Sequence, residues 1–230
     1  MGVSRRPHAL GDALIRFENV SKHFKTQNHK KIILDHVDFE FDTNLSYGVL
    51  GVNGAGKSTT LRMMAGTILP NSGRIRKNVR VSWPLGLAAG FNSLLTGKEN
   101  LNFVARAYGE DVVRVARFVE DFAEIGDYFN APVKTYSSGM MARLAFGLSM
   151  AIEFECYLVD ELTAVGDASF QQRCSDAFAS RRKNASIIMV SHSMKTIEEY
   201  CDRGILLVDG RMMFYEDVGQ AVAAYYRLNR

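Results

Sequence analysis

Gly51-Val52-Asn53-Gly54-Ala55-Gly56-Lys57-Ser58-Thr59 fits the phosphate-binding loop pattern G-x-x-x-x-G-K-[ST], and its flanks supply the context that the pattern needs. Val49-Leu50 enters as a buried-strand signal, and Leu61, Met64 and Ala65 leave at helical spacing. In a strand, loop, helix arrangement the Gly-rich turn aims successive backbone N–H groups at the phosphates of a nucleotide. Lys57 then reaches the β and γ phosphates, and the Ser58 hydroxyl coordinates Mg²⁺. Gly51, Asn53, Gly54, Ala55, Gly56, Lys57, Ser58 and Thr59 are therefore the expected nucleotide-binding residues of the loop.

With 230 residues, 47% of them hydrophobic, the chain can bury one full core, alone or with a smaller inserted subdomain. Its 28 basic and 25 acidic residues are interspersed, so no basic stripe marks a nucleic-acid partner. Arg74, Arg76, Lys77 and Arg80 form the densest basic cluster, which reads as a solvated face. Cys156, Cys174 and Cys201 show no C-x-x-C spacing, which argues for reduced thiols in the cytosol and against a zinc site or a disulfide framework. The longest apolar run, Ala145 to Ile152, is interrupted by Gly147 and Ser149 and is far shorter than a membrane-spanning helix requires. Arg5-Arg6 is not followed by the apolar stretch of a twin-arginine signal, and Arg6 stands where myristoylation prefers Ser or Thr.

Residues 1–12 are polar and aperiodic and read as a flexible arm, with a single domain over 13–230. Leu14, Ile15 and Phe17, then Val37, Phe39 and Phe41, are β-type segments of an antiparallel sheet, separated by a loop at Lys25 to Lys31. The turn Pro70-Asn71-Ser72-Gly73 closes the first helix and opens a strand near Val79 and Val81. Between 92 and 149 the pattern turns helical: Leu101, Val104 and Tyr108, then Val112, Val115, Ala116, Val119 and Phe122, recur at spacings of three and four. Cys156-Tyr157-Leu158-Val159 and Ile187-Ile188-Met189-Val190 are buried-strand signals around a helix-length stretch, the βαβ rhythm of a parallel sheet. Ile205 to Val208, Asp209-Gly210 and Arg211 to Tyr215 predict a hairpin, followed by a short closing helix.

Three further elements carry chemistry. The strand Tyr157-Leu158-Val159 ends in Asp160-Glu161, which places Asp160 to hold the Mg²⁺ shell and Glu161 to orient and deprotonate an attacking water. A second buried strand ends at Ser191-His192, where His192 stands at the ligand edge of a parallel sheet as a γ-phosphate contact. Tyr136-Ser137-Ser138-Gly139-Met140-Met141-Ala142-Arg143 is a small polar turn opening a helix through Leu144, Ala145 and Leu148; its plainer role is a Ser N-cap.

In this order the four elements resemble the ATP-binding cassette ATPases, whose signature turn usually reads Leu-Ser-Gly-Gly-Gln; the resemblance covers roughly residues 14–215. It implies an α/β fold: a RecA-like P-loop NTPase core with an antiparallel β subdomain (13–91 and 150–230) and an inserted α-helical subdomain (92–149). It also implies a head-to-tail homodimer with ATP as substrate. Each nucleotide would lie between Lys57, Ser58 and Asp160 of one copy and the signature turn Ser137-Ser138-Gly139 of the other, at a helix N-terminus suited to anions. Phe24 matches the residue that stacks on adenine, and Asp167, at the end of Thr163-Ala164-Val165-Gly166-Asp167, matches one that touches the partner copy.

The chain departs from the family pattern in four places. Ser138 replaces the first signature Gly, Met140 replaces the Gln, and Leu162 stands where Pro usually follows the catalytic Glu. The glutamine loop expected between Ser82 and Phe91 contains no Gln, so its Mg²⁺ contact and its coupling to a membrane partner fall to other groups. These departures, with Leu95-Thr96-Gly97-Lys98-Glu99-Asn100, look like the ATPases of bacterial polysaccharide exporters, most of all those exporting lipid-linked capsular polysaccharide. Such membership implies a peripheral subunit on the cytoplasmic face of the inner membrane, bound to a separate permease that docks beside Trp83 to Phe103; Trp83, Phe91, Leu94 and Leu95 serve there either as docking surface or as core. O-antigen exporters often add a C-terminal carbohydrate-binding domain, for which a chain ending at Arg230 leaves no room. The alternatives are an O-antigen or teichoic-acid exporter subunit, a soluble non-transport cassette ATPase and a small-molecule kinase.

Overall fold

The computed structural model describes residues 13–25, 30–85, 90–161 and 167–229; the arm expected at 1–12 lies outside the described residues. Along the chain run β1 (Ala13–Lys25), β2 (Lys30–Asp42), β3 (Tyr47–Leu50), α1 (Lys57–Ala65), β4 (Ser72–Lys77) and β5 (Val81–Pro84). Next come α2 (Gly97–Ala107), α3 (Val112–Ala123), α4 (Ser138–Ala151), β6 (Cys156–Asp160) and α5 (Ala168–Arg182). The chain closes with β7 (Ser186–Val190), α6 (Met194–Tyr200), β8 (Arg203–Val208), β9 (Arg211–Tyr215) and α7 (Val218–Leu228). Two compact units emerge: Met1–Pro84 with Phe154–Leu162 and Ala185–Arg230, and Leu85–Glu153 with Thr163–Asn184.

The first unit holds both sheets, one of three strands ordered β2-β1-β4 and one of six ordered β5-β6-β7-β3-β8-β9. In the larger sheet β3 pairs in parallel with β7 and β8, and β6 pairs in parallel with β5 and β7. Buried on both faces, β3 and β7 are apolar or small throughout, as central parallel strands must be. Phe39, Phe41 and Tyr47 pack edge to face, with Phe41 4.8 Å from Phe39 and 5.1 Å from Tyr47. The β8–β9 hairpin turns on Asp209 and Gly210, both at positive φ (47° and 79°), the form that matches strand twist. The Gly210 carbonyl accepts the Asp35 N–H at 2.8 Å.

The strand expected near Val79 and Val81 is in fact two. β4 begins inside the expected turn, at Ser72, and pairs antiparallel with β1, while β5 begins at Val81 and joins the other sheet. Ser-Gly-Arg-Ile-Arg-Lys carries one apolar side chain, Ile75, so no alternation announces it. Arg76 pairs with Glu18 of β1 at 2.7 Å, and both Arg74 and Arg76 remain largely solvated. Lys25, Lys30 and Lys31, expected in a loop, lie on β1 and β2.

The second unit is helical. α2 opens with a full capping box, in which Thr96 accepts the Glu99 N–H at 3.1 Å and Glu99 accepts the Thr96 N–H at 2.8 Å. α3 buries Val115, Ala116, Val119 and Phe122 on one face; Phe122 stacks on Phe146 of α4 at 6.0 Å and meets Phe170 of α5 edge-on at 5.4 Å. Arg173 of α5 pairs with Glu124 at 2.5 Å and donates to the Asp121 and Phe122 carbonyls at the end of α3. These contacts group α5 with the helices of this unit.

Among the described residues no helix is long and apolar enough to cross a membrane. The three cysteines are free thiols; burial pushes Cys156 up to about 12.

Candidate active site

β3 delivers the chain into the loop at Leu50, and the turn closes with the Ala55 N–H donating to the Val52 carbonyl at 3.0 Å. Gly56 caps α1 in the left-handed region (φ 104°), and a Cβ there would strike Ile33 of β2. No side chain caps α1, so the N–H groups of its first turn stay available to an anion. Lys57 Nζ donates to the Gly51 and Val52 carbonyls at 2.7 and 3.2 Å. Burial lowers the Lys57 pKa, and nearby Asp160 opposes that shift. Ser58 Oγ donates to Asp160 Oδ1 at 2.9 Å, at the end of β6.

Glu161 follows in the left-handed region (φ 61°), a conformation that costs a non-glycine residue roughly 1–3 kcal/mol. Its N–H donates to the Val190 carbonyl at 2.8 Å, which holds the turn against the end of β7. His192 stands just beyond β7, exposed, in a bend where Ser191 Oγ accepts the Ser193 N–H at 3.0 Å. Ser193 in turn caps α6.

One cleft of ≈ 340 Å³ brings together Phe24, Asn53, Gly54, Gly56, Lys57, Ser58, Thr59, Asp160, Glu161 and His192. Gly51 and Ala55 instead line an adjoining cavity of ≈ 440 Å³ with Leu207 and Tyr225. Lys31, Ile33 and Val190 also line the cleft, and sequence reasoning passed over all three. Lys31 had a usable signal: it is the cross-strand partner of Phe24, so a hairpin that brings one brings the other. A Cβ on Gly54 would sit 2.9 Å from Lys31 Nζ, which puts that cation over the loop. Phe24 is 43% exposed, with Lys22 Nζ 5.0 Å from its ring centroid.

Ser137, Ser138, Gly139 and Asp167 belong to the second unit. Ser137 caps α4, accepting the Met140 N–H at 3.2 Å. A Cβ on Gly139 would meet only Ser137 Oγ, at 3.8 Å, so packing within the chain does not demand a glycine there. Asp167 caps α5 by accepting the Phe170 N–H at 3.0 Å; that hydrogen bond, aided by Arg143, holds its carboxyl below the usual range. Trp83 packs edge-on against Phe154 at 5.3 Å, Phe91 is half-buried, and Leu94 is 70% exposed. Leu162 and Thr163 to Gly166 lie outside the described residues, as do Gly86 to Ala89 of the stretch searched for a glutamine.

A lysine, backbone N–H groups, a hydroxyl paired with one carboxylate, a second carboxylate and an imidazole share this cleft. Such a set can bind a phosphate chain and direct water at its terminal phosphorus. Among the described residues no cluster of three His, Cys, Asp or Glu could hold a metal by itself. A lone hydroxyl–carboxylate pair fits Mg²⁺, which keeps waters and takes its other ligands from phosphates. The class this cleft and its sheet define is the phosphate-loop nucleoside triphosphatases.

A family model described as ABC transporter matches residues 34–164. The chain is 46% identical over 215 residues to the polysialic acid transport ATP-binding protein KpsT of Escherichia coli, covering 92% of this chain and 98% of the relative. It is 43% identical to the capsule polysaccharide export ATP-binding protein CtrD of Neisseria meningitidis serogroup B, covering 94% of this chain and all of the relative. Among solved structures, a dimeric post-hydrolysis state of the ATP-binding cassette MJ0796 bound to ADP and Pi superposes with a TM-score of 0.68 at 19% identity, covering 87% of this chain and 98% of that one. The chain belongs to the ABC transporter family, as one of its ATP-hydrolysing cassettes.

Proposed function

We propose that this chain, a single cassette over residues 13–230, hydrolyses Mg-ATP to drive export of lipid-linked capsular polysaccharide across a bacterial inner membrane. It acts as a pair of copies bound on the cytoplasmic face to a separate membrane permease. One observation carries the reading: Lys57, Ser58, Asp160, Glu161 and His192 share a cleft in a chain 46% identical to a polysialic acid transport ATP-binding protein. The dimeric cassette of similar fold, bound to ADP and Pi, supports the pairing.

In this reading the loop from Gly51 to Thr59 cradles the phosphates, and Lys57 leaves its loop carbonyls for the β and γ oxygens. Phe24 stacks on the adenine. Ser58 and Asp160 hold Mg²⁺, which supplies charge neutralisation on the phosphate oxygens. Glu161 takes a proton from the water that attacks the γ phosphorus, ADP leaves, and His192 contacts the γ-phosphate oxygens. Ser137, Ser138 and Gly139 of the second copy complete the site, with Asp167 at the contact between copies. ATP favours the closed pair, its hydrolysis removes the bridge, and reopening moves the permease.

The test is genetic and biochemical. Deleting the gene is expected to abolish surface capsule, restored by the wild-type chain and not by Glu161→Gln. Cells that keep their capsule and lose another surface polymer would replace the cargo assigned here. The chain is expected to co-purify with a polytopic membrane protein; recovery on ribosomes instead would overturn transport.

A further inference from the structure

Arg143 lies in the second turn of α4, and its guanidinium collects partners from both neighbouring helices of its unit. Nη2 donates to Asp167 Oδ2 at 2.9 Å. Nη1 lies 3.6 Å from Glu124 Oε2 and donates to the Ala123 carbonyl at 3.4 Å, both at the C-terminal end of α3. The guanidinium carbon stands 4.3 Å from the ring centroid of Phe170 in the first turn of α5. The Arg143 side chain is 16% exposed while Asp167 and Glu124 stand 66% and 50% exposed, so the guanidinium is the sheltered member of each pair, fixed by the Phe170 ring and the Ala123 carbonyl as well as by the two carboxylates.

Asp167 divides its carboxylate between two tasks. Oδ1 accepts the Phe170 N–H and starts α5, while Oδ2 accepts from Arg143. Glu124 is similarly shared between Arg143 and Arg173. One planar cation thus touches the end of α3 and the beginning of α5 from a residue six positions beyond Ser137, the cap of α4.

We propose that Arg143 is a positioning residue that locks the signature turn Ser137 to Gly139, at the head of α4, to Asp167, at the head of α5, so that both approach the second copy's nucleotide as one rigid piece. The inference rests on the proposed function, which places those residues at the contact between copies. Fork geometry matters: a guanidinium can stack on Phe170 and still donate sideways to Asp167, which a lysine ammonium cannot reproduce. Misplacing a reacting group by an ångström costs roughly 100-fold in rate, so loss of the lock should appear in turnover before it appears in nucleotide affinity.

The test compares Arg143→Lys, Asp167→Asn and the double variant of the full chain with Mg-ATP. Asparagine caps helices about as well as aspartate, so Asp167→Asn removes the charge and keeps the cap. Each single variant is expected to lower kcat at least ~10-fold with KM for ATP within about 2-fold, and the double to be no slower than the worse single. Gly139→Arg is the reference. If it too abolishes turnover while a folded Arg143→Lys or Asp167→Asn turns over normally, the lock is refuted and the proposed function stands. Normal turnover in Gly139→Arg refutes the dimer reading beneath it. Losses that multiply in the double variant show two independent residues and also refute the lock.

Discussion

Ser58 Oγ donates to Asp160 Oδ1 across 2.9 Å, joining the first turn of α1 to the last residue of β6. The two residues are 102 positions apart, and only the parallel sheet brings them together. Their shared hydrogen bond holds two oxygen donors at one spot, where a hard cation needs them.

Asp160→Asn is expected to raise the Mg²⁺ concentration for half-maximal ATP turnover at least ~10-fold, the scale lost even when groups behind a metal ligand are removed. Titrating ATPase activity with Mg²⁺ at fixed ATP checks it. An unchanged requirement would take Asp160 out of the metal site.

Glu161→Gln is expected to bind ATP, remain paired and turn over at least ~100-fold more slowly, within the range for losing a general base. Single-turnover kinetics with light scattering measures both effects. A variant that kept its rate would assign the base elsewhere.

Two glycines should separate folding from function. Gly56→Ala forces a side chain into the left-handed region and against Ile33, and is expected to destabilise the chain by roughly 1–3 kcal/mol. At Gly139 a Cβ meets nothing closer than 3.8 Å, so Gly139→Arg is expected to fold with stability within ~0.5 kcal/mol of wild type. Its turnover should nonetheless fall roughly 100-fold, because the side chain intrudes where the second copy's phosphates are proposed to lie. Urea titrations and ATPase assays on the same preparations distinguish the two.

Tyr47 supplies a pH signature. Burial pushes its hydroxyl from 10.0 up to about 12, while the Asp42 N–H donates to it and it donates to Asp42 Oδ2. An unfolded chain releases this proton near pH 10 and the folded chain near 12. The contribution is therefore complete below pH 10 and fades as pH rises through that window, by roughly 2–3 kcal/mol in all. Tyr47→Phe removes it, so the stability gap between wild type and variant should narrow from pH 9 to 11 in urea titrations. A constant gap would show that Tyr47 ionises equally in both states.

The legible parts of this chain are those whose signals are local. The loop before α1, the apolar runs of β6 and β7 and the Asp209-Gly210 hairpin each declare themselves within a dozen residues, and the α/β phosphate-loop class followed from them. β4 stayed hidden because pairing with β1 and ion pairs with Glu18, not an apolar face, hold it in place. Lys31 enters the cleft only through its register opposite Phe24. Arg143 read as an ordinary helix residue because its partners lie 19 and 24 positions away, on elements that only tertiary packing brings near. Likewise Phe170 and Arg173, which tie α5 to the helices, carry no periodic mark of that allegiance.

β3 is flanked by β7 and β8, so Leu50 is joined in the sheet to Leu206. A ribosome making 5–20 residues per second needs roughly 10–30 s between those two residues. For most of that interval, until β7 emerges at Ser186, the strand that feeds the phosphate loop lacks both of its sheet neighbours and leaves an apolar edge uncovered. The sheet support of the loop thus waits on β7 and β8, strands that the ribosome makes long after the loop itself.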